Sequence, residues 1–278
     1  MKNAMQLKAL VKNLAVKKGV APQALQQNYM LERILERISV SSYRDKFIIK
    51  GGMLIAAIVG LNNRTTMDMD ATLHCMPLTE NSVREALSEI LSIDLNDSIT
   101  FTINKISLIR EDDTYGGYRA SLIADFDTLN IPLKIDLTTG DKITPREITF
   151  RYPLMLEDRN LEILSYNLET ILAEKYETII RRSTLNTRMR DFYDIYILMT
   201  LHESNIDFSL LKKAIGATSE LRNSVEILKG ANRIISSLNE HSGMQALWEL
   251  YQKDFSYAKG ISWADIIGAI KTLYERIL

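Results

Sequence analysis

Leu7, Leu10, Val11 and Leu14 recur at helical spacing among lysines, which predicts an amphipathic first helix and not the apolar block of a signal peptide. A second helix is expected after Pro22, a residue suited to a first helical turn, with Tyr29, Met30, Ile34, Leu35 and Ile38 on one stripe. The run KFIIKGGMLIAAIVGL reads as a short strand, a Gly51-Gly52 turn and a short buried helix, a corner able to present backbone N–H groups to an anion. Thr79 predicts an N-cap for a helix that buries Val83, Leu87, Ile90 and Leu91. Strand patterns follow in TFTINKISLI, GYRASLIADF and IPLKIDLT, with turns expected around Asp112-Asp113 and at Asp127. From about Leu161 the periodicity changes to helix after helix, beginning with NLETILAEKYETIIRRS and TRMRDFYDIYILMTL. The expected organisation is α+β: a mixed sheet with N-terminal helices over residues 1–160, and a helical domain over 161–278 that closes a cleft.

Composition narrows the chemistry. The 278 residues are 46% hydrophobic and carry a formal net charge of -1, so an ordinary core is expected and the whole-molecule field does not favour nucleic acid. A single cysteine excludes an internal disulfide and a thiolate zinc site, and fits a reducing compartment such as the cytoplasm. The longest apolar run, near Met53 to Leu61, is far short of the roughly 20 residues of a membrane span. His74, His202 and His241 have no ligand-like spacing.

In RTTMDMDATL, strand alternation sends Met67, Met69, Ala71 and Leu73 to a core face and Asp68, Asp70 and Thr72 to the other. Two carboxylates about 6 to 7 Å apart repel by about 2 to 3 kcal/mol at an effective dielectric near 20, so a cation is expected beside them. In IPLKIDLT, Ile131, Leu133, Ile135 and Leu137 face the core while Lys134 and Asp136 face away, which offers a third acid. Hard oxygen donors without histidine or cysteine point to Mg²⁺ or Mn²⁺, the ions used for displacement at phosphate. A plain hydrated strand face is the competing reading of an isolated Asp-x-Asp.

Two later positions break the apolar pattern. Lys175 projects into the arc of Leu168, Ile171, Leu172, Tyr176 and Ile179, with Glu174 and Glu177 outside it, so its ammonium either snorkels to water or meets an anion. Asp191 projects between Ile195 and Leu198, with Arg188 and Asp194 a turn away on either side, and an Arg188/Asp191 structural pair is one reading. Arg181, Arg182, Arg188 and Arg190 form a local basic patch, a candidate RNA contact, although the helix dipole also favours Arg181 and Arg182 at a C-terminus.

In order, Gly51-Gly52, Arg64-x-Thr66-x-Asp68-x-Asp70, KIDL with Asp136, ETILAEKYETI with Lys175, and RMRDFYDIYIL with Asp191 and Asp194 resemble the AbiEii/AbiGii nucleotidyltransferase toxin family of the polymerase β-like superfamily. The resemblance runs from about residue 45 to 200. It implies a nucleotidyltransferase-like mixed sheet bearing the acids and transfer of a nucleoside monophosphate from an NTP, with release of pyrophosphate. It assigns Asp68, Asp70 and Asp136 to Mg²⁺ or Mn²⁺, with Asp136 also activating the acceptor hydroxyl. Lys175 is assigned to the triphosphate, Asp191 and Asp194 to ordering that helix or the nucleotide, and Gly51, Gly52, Arg64 and Thr66 to nucleotide and phosphate contacts. The partners it implies are an RNA acceptor, with tRNA as a known class, and a cognate antitoxin such as a winged-helix regulator, in a toxin–antitoxin or abortive phage-infection pair. One departure is the run Gly51-Gly52-Met53: the wider superfamily usually has a phosphate-holding hydroxyl just after the first glycine, so here phosphate falls chiefly to the backbone of the turn, Lys175 and metal. Transfer to a protein or small molecule uses the same acids, and a non-catalytic NTP- or RNA-binding module built on Arg181 to Arg190 is the rival outside enzymes.

Overall fold

Helix α1 (Ala4–Lys18) is entered through Asn3, whose side chain accepts from the Gln6 amide, and left through Gly19 in the left-handed region. Its buried seam is Ala4, Leu7, Val11 and Ala15, whereas Leu10 is exposed, because the small alanines continue the stripe that the leucine spacing alone makes too wide. Helix α2 (Pro22–Val40) buries the whole expected stripe and also Glu32, Arg33 and Arg37, since it is covered by α1 on one side and by strands on the other. A computed structural model describes residues 1–109 and 116–278, which fold as two compact units, residues 1–140 with 148–165 and residues 141–147 with 166–278. The turn expected at Asp112-Asp113 lies outside the described residues.

The first unit is built on a mixed seven-stranded sheet of order β3-β4-β5-β2-β1-β7-β6. Its strands are β1 (Phe47–Lys50), β2 (Asp68–Leu73), β3 (Thr100–Ile109), β4 (Gly117–Phe126), β5 (Leu129–Thr139), β6 (Ile148–Pro153) and β7 (Asn160–Ser165). Helix α3 (Gly51–Val59) starts directly at the end of β1, and α4 (Glu80–Leu91) begins at a Thr79 capping box completed by Ser82. Val83, Leu87, Ile90 and Leu91 are buried as the pattern predicts. Strands β4 and β5 are joined through Asp127 at φ 53°, and its carboxylate accepts from the Ala4 amide, which ties the chain start to the hairpin. Strand β2 runs antiparallel to β1 and parallel to β5, so its core residues Met69, Ala71 and Leu73 are fully covered. Met67 is exposed, contrary to expectation, because it precedes the strand and is outside its alternation.

Strands β6 and β7 are absent from the sequence-based expectation, which starts the helical region at 161. Leu161, Ile163 and Ser165 are buried in alternation and β7 pairs parallel to β1, so residues 160–165 complete the sheet. Helix α5 (Leu168–Arg182) begins only after the Asn167 cap. The second unit continues with α6 (Met189–His202), α7 (Phe208–Leu221), α8 (Val225–Leu228), α9 (Ala231–Glu240), α10 (Ser242–Asp254) and α11 (Trp263–Ile277). Its centre packs α5 on α6 and α7 and α11 on α6 and α9, with Tyr193, Trp248 and Trp263 in one aromatic cluster. Among the described residues no helix is long and apolar enough to cross a membrane.

Candidate active site

Strand register assembles the acid face. Lys50 of β1 is the pairing partner of Asp70 on β2, Asp70 that of Asp136 on β5, and Asp136 that of Arg119 on β4. Directly paired residues point to the same side of a sheet, so one row across four strands reads cation, acid, acid, cation. Asp68, two positions before Asp70, adds a third acid to this face, and its pairing partner is the exposed Lys134. Side chains on adjacent strands start about 5 Å apart, so Asp70 and Asp136 alone would repel by about 3 kcal/mol at a dielectric near 20.

The offset comes from a residue that the sequence pattern does not single out. Arg119 donates from Nε and Nη2 to the two oxygens of Asp136 at 2.7 and 2.6 Å, a two-pronged bond. Those bonds and the fields of Asp136, Asp68 and Asp70 push the guanidinium further above its usual range. A signal for Arg119 exists in β4, where Ala120, Leu122, Ala124 and Phe126 are core and Arg119 falls on the opposite face. Which strand that face sits beside is not readable from alternation. Lys50 is likewise unannounced in the sequence, and its Nζ donates to Thr138 Oγ1 at 2.8 Å, while Thr138 Oγ1 lies 2.9 Å from that of Thr72.

The glycine turn and the acid strand are shaped to each other. Gly51 has φ +65°, and a Cβ there would lie 2.0 Å from Asp70 Oδ2. A Cβ on Gly52 would lie 2.9 Å from Thr66 Oγ1 and 3.2 Å from Arg64 Nη2. Arg64 and Thr66 are buried; Arg64 Nη1 donates to the Thr65 carbonyl, and Thr66 Oγ1 bonds the backbone of Asp68. Both expected nucleotide contacts thus lie beside the glycine turn and also bond the backbone of the segment leading into β2. The first turn of α3 carries no side-chain cap, so its leading backbone N–H groups are not capped by Lys50.

In donor type and register, Asp68, Asp70 and Asp136 fit a hard divalent cation. Among the described residues no group of three potential ligands is already gathered as a metal site, and Asp136 gives both oxygens to Arg119.

In the helical unit, Lys175 Nζ is 2.5 Å from Asp191 Oδ1 and 3.0 Å from Asp194 Oδ2. The lysine thus meets anions of its own unit, and Asp191 is paired with Lys175 where an Arg188 pair is one reading of the sequence. Arg188 is exposed at the α6 N-cap. Glu177, expected outside the apolar arc, is fully buried because α7 and α8 cover that side of α5. It accepts from Arg181 Nε, Arg222 Nη1 and Ser224 Oγ at 2.7, 2.7 and 2.8 Å. The basic patch is accordingly uneven: Arg181 is tied to Glu177, Arg190 lies over the Phe255 ring at 5.6 Å, and Arg182 is half-buried.

Among solved structures, the chain is similar to MenT4, a nucleotidyltransferase toxin from Mycobacterium tuberculosis H37Rv, with a TM-score of 0.56, 15% identity and 97% of each chain covered. It is also similar to JHP933 from Helicobacter pylori, with a TM-score of 0.51, 14% identity, and 92% of this chain and 94% of that one covered. At such identities the likeness is one of fold. No curated protein matches the chain. The family model for the nucleotidyl transferase AbiEii toxin of type IV toxin–antitoxin systems matches residues 33–268. That match takes in the acid strands, the glycine turn and the Lys175 helix together, and the chain belongs to the AbiEii family of nucleotidyltransferase toxins.

Proposed function

We propose that the protein transfers a nucleoside monophosphate from an NTP to an RNA acceptor of the tRNA class, in the cytoplasm, as the toxin of a toxin–antitoxin or phage-defence pair. The observation that carries the reading is the pairing of Asp70 with Asp136 on one sheet face, with Asp68 beside them and Gly51 packed against Asp70. Asp68, Asp70 and Asp136 would hold Mg²⁺ or Mn²⁺, which when bound supplies positive charge to the triphosphate and lowers the pKa of the attacking hydroxyl. Backbone N–H groups at the start of α3 face phosphate, a role favoured by the positive end of the helix. Asp136 accepts the proton of the acceptor hydroxyl as its oxygen bonds to the α-phosphorus, the bond to pyrophosphate breaks, and pyrophosphate leaves. Lys175 is the proposed triphosphate contact, with Asp191 and Asp194 fixing its ammonium through the ion pairs they make. Exposed Arg188 is the strongest member of the RNA-contacting patch, since Arg181 already serves Glu177.

Incubation with each labelled NTP, Mg²⁺ or Mn²⁺ and total RNA, beside Asp68→Ala, tests the reading. Label entering tRNA with the unmodified protein alone is the expected result. Label entering protein, or equal labelling by Asp68→Ala, overturns it.

A further inference from the structure

The acid face carries its own cation, and that cation is placed to compete with metal. Arg119 contacts both oxygens of Asp136, and the fields of Asp68 and Asp70 reach the same guanidinium. Lys50, at the opposite end of the same row, donates to the Thr138 hydroxyl, which lies against Thr72.

We infer that Arg119 is an internal stand-in for the divalent cation at Asp136, holding the acid face together in metal-free protein and giving up the carboxylate when metal enters. The inference rests on the metal-dependent reading above and adds a residue to it. Its basis is charge and geometry: a guanidinium bonded to both oxygens and a divalent ion drawn to the same carboxylate are like charges at close range. The pair is also exchangeable, since Arg119 is 40% exposed and its side chain can swing to water without leaving an unpaired buried charge. Arg119 is a positioning residue in this scheme, acting on the reaction through Asp136.

Mn²⁺ titrated into nucleotide-free protein, with free Mn²⁺ read by electron paramagnetic resonance, tests this without reference to turnover. Arg119→Gln should bind Mn²⁺ at least tenfold more tightly than the unmodified protein. Arg119→Lys, which keeps the charge and loses the two-pronged bond, should fall between them and provides the comparison if the glutamine variant folds poorly. An affinity in both variants equal to or weaker than that of the unmodified protein overturns the inference, because Arg119 would then remain on Asp136 or support the site. Asp70→Asn separates the two levels: if it binds Mn²⁺ as well as the unmodified protein does, the ion is not on this face and the metal reading fails together with the inference.

Discussion

The acid face of the sheet and the Lys175 triad of the helical unit each set basic side chains against two or more carboxylates, but only one of them leaves its charges room to exchange. In the sheet, Arg119 and Asp136 are 40% and 18% exposed. In the helices, Lys175 is 19% exposed while Asp194 is wholly buried. Solvent screens the first pair and makes its net contribution small, whereas removing a partner from the second strands a charge in the interior. The same residue types thus serve a replaceable arrangement on a strand face and a fixed one between helices.

The largest expected effect separates chemistry from stability on the sheet. Asp70→Asn should reduce nucleotidyl transfer by at least about 10³-fold, a loss of about 4 kcal/mol of transition-state stabilisation, with little change in melting temperature. A variant that unfolds instead would make the acid face structural and erase the contrast. In the helical unit the order reverses: Asp194→Ala should lower unfolding free energy by about 3 to 5 kcal/mol in urea titration, because Lys175 loses a buried partner. A change under about 1 kcal/mol would show the triad to be as loose as the sheet pair.

Glu32 gives a smaller, pH-dependent effect. Burial pushes its carboxyl up to about 8, while both oxygens accept from the Met155 amide. The folded chain then keeps a proton that the unfolded chain releases near pH 4.5, so stability falls as pH rises from about 4.5 to about 8 and levels off above. The fall should be about 2 to 4 kcal/mol between pH 5 and 8.5, and Glu32→Gln should flatten it. An unchanged slope in the variant would place the titrating group elsewhere. The smallest effect is at the arginine patch: Arg188→Ala should leave stability within about 0.5 kcal/mol and weaken RNA binding, measured by filter retention over a salt series. Equal RNA affinity across that series would remove Arg188 from the contact.

Much of this contrast is legible in the chain itself. Period-two alternation places Asp68, Asp70 and Asp136 on the non-core faces of their strands, and helical projection marks Lys175 and Asp191 as misplaced charges. What alternation cannot give is the partner. Arg119 opposite Asp136 and Lys50 opposite Asp70 follow from strand order and register, which depend on residues distant in sequence. Strand β7 is hidden because its six residues run almost directly into a strong helical pattern at Asn167. Glu177 reads as solvent-facing because its cover, Arg222 and Ser224, comes from a segment more than forty residues later.

By itself the sequence determined which residues form strands and helices at the site, that the acids share a chemistry suited to hard cations, and the order of motifs that marks the family. These are local properties, set by side-chain periodicity and, at the turn before α3, by Gly51 with its positive φ. The tertiary structure alone decided which charge answers which: that Asp136 meets Arg119, and that Lys175 meets Asp191 and Asp194. Ion pairing depends on separations of a few ångströms between residues far apart in the chain, and only folding sets those distances.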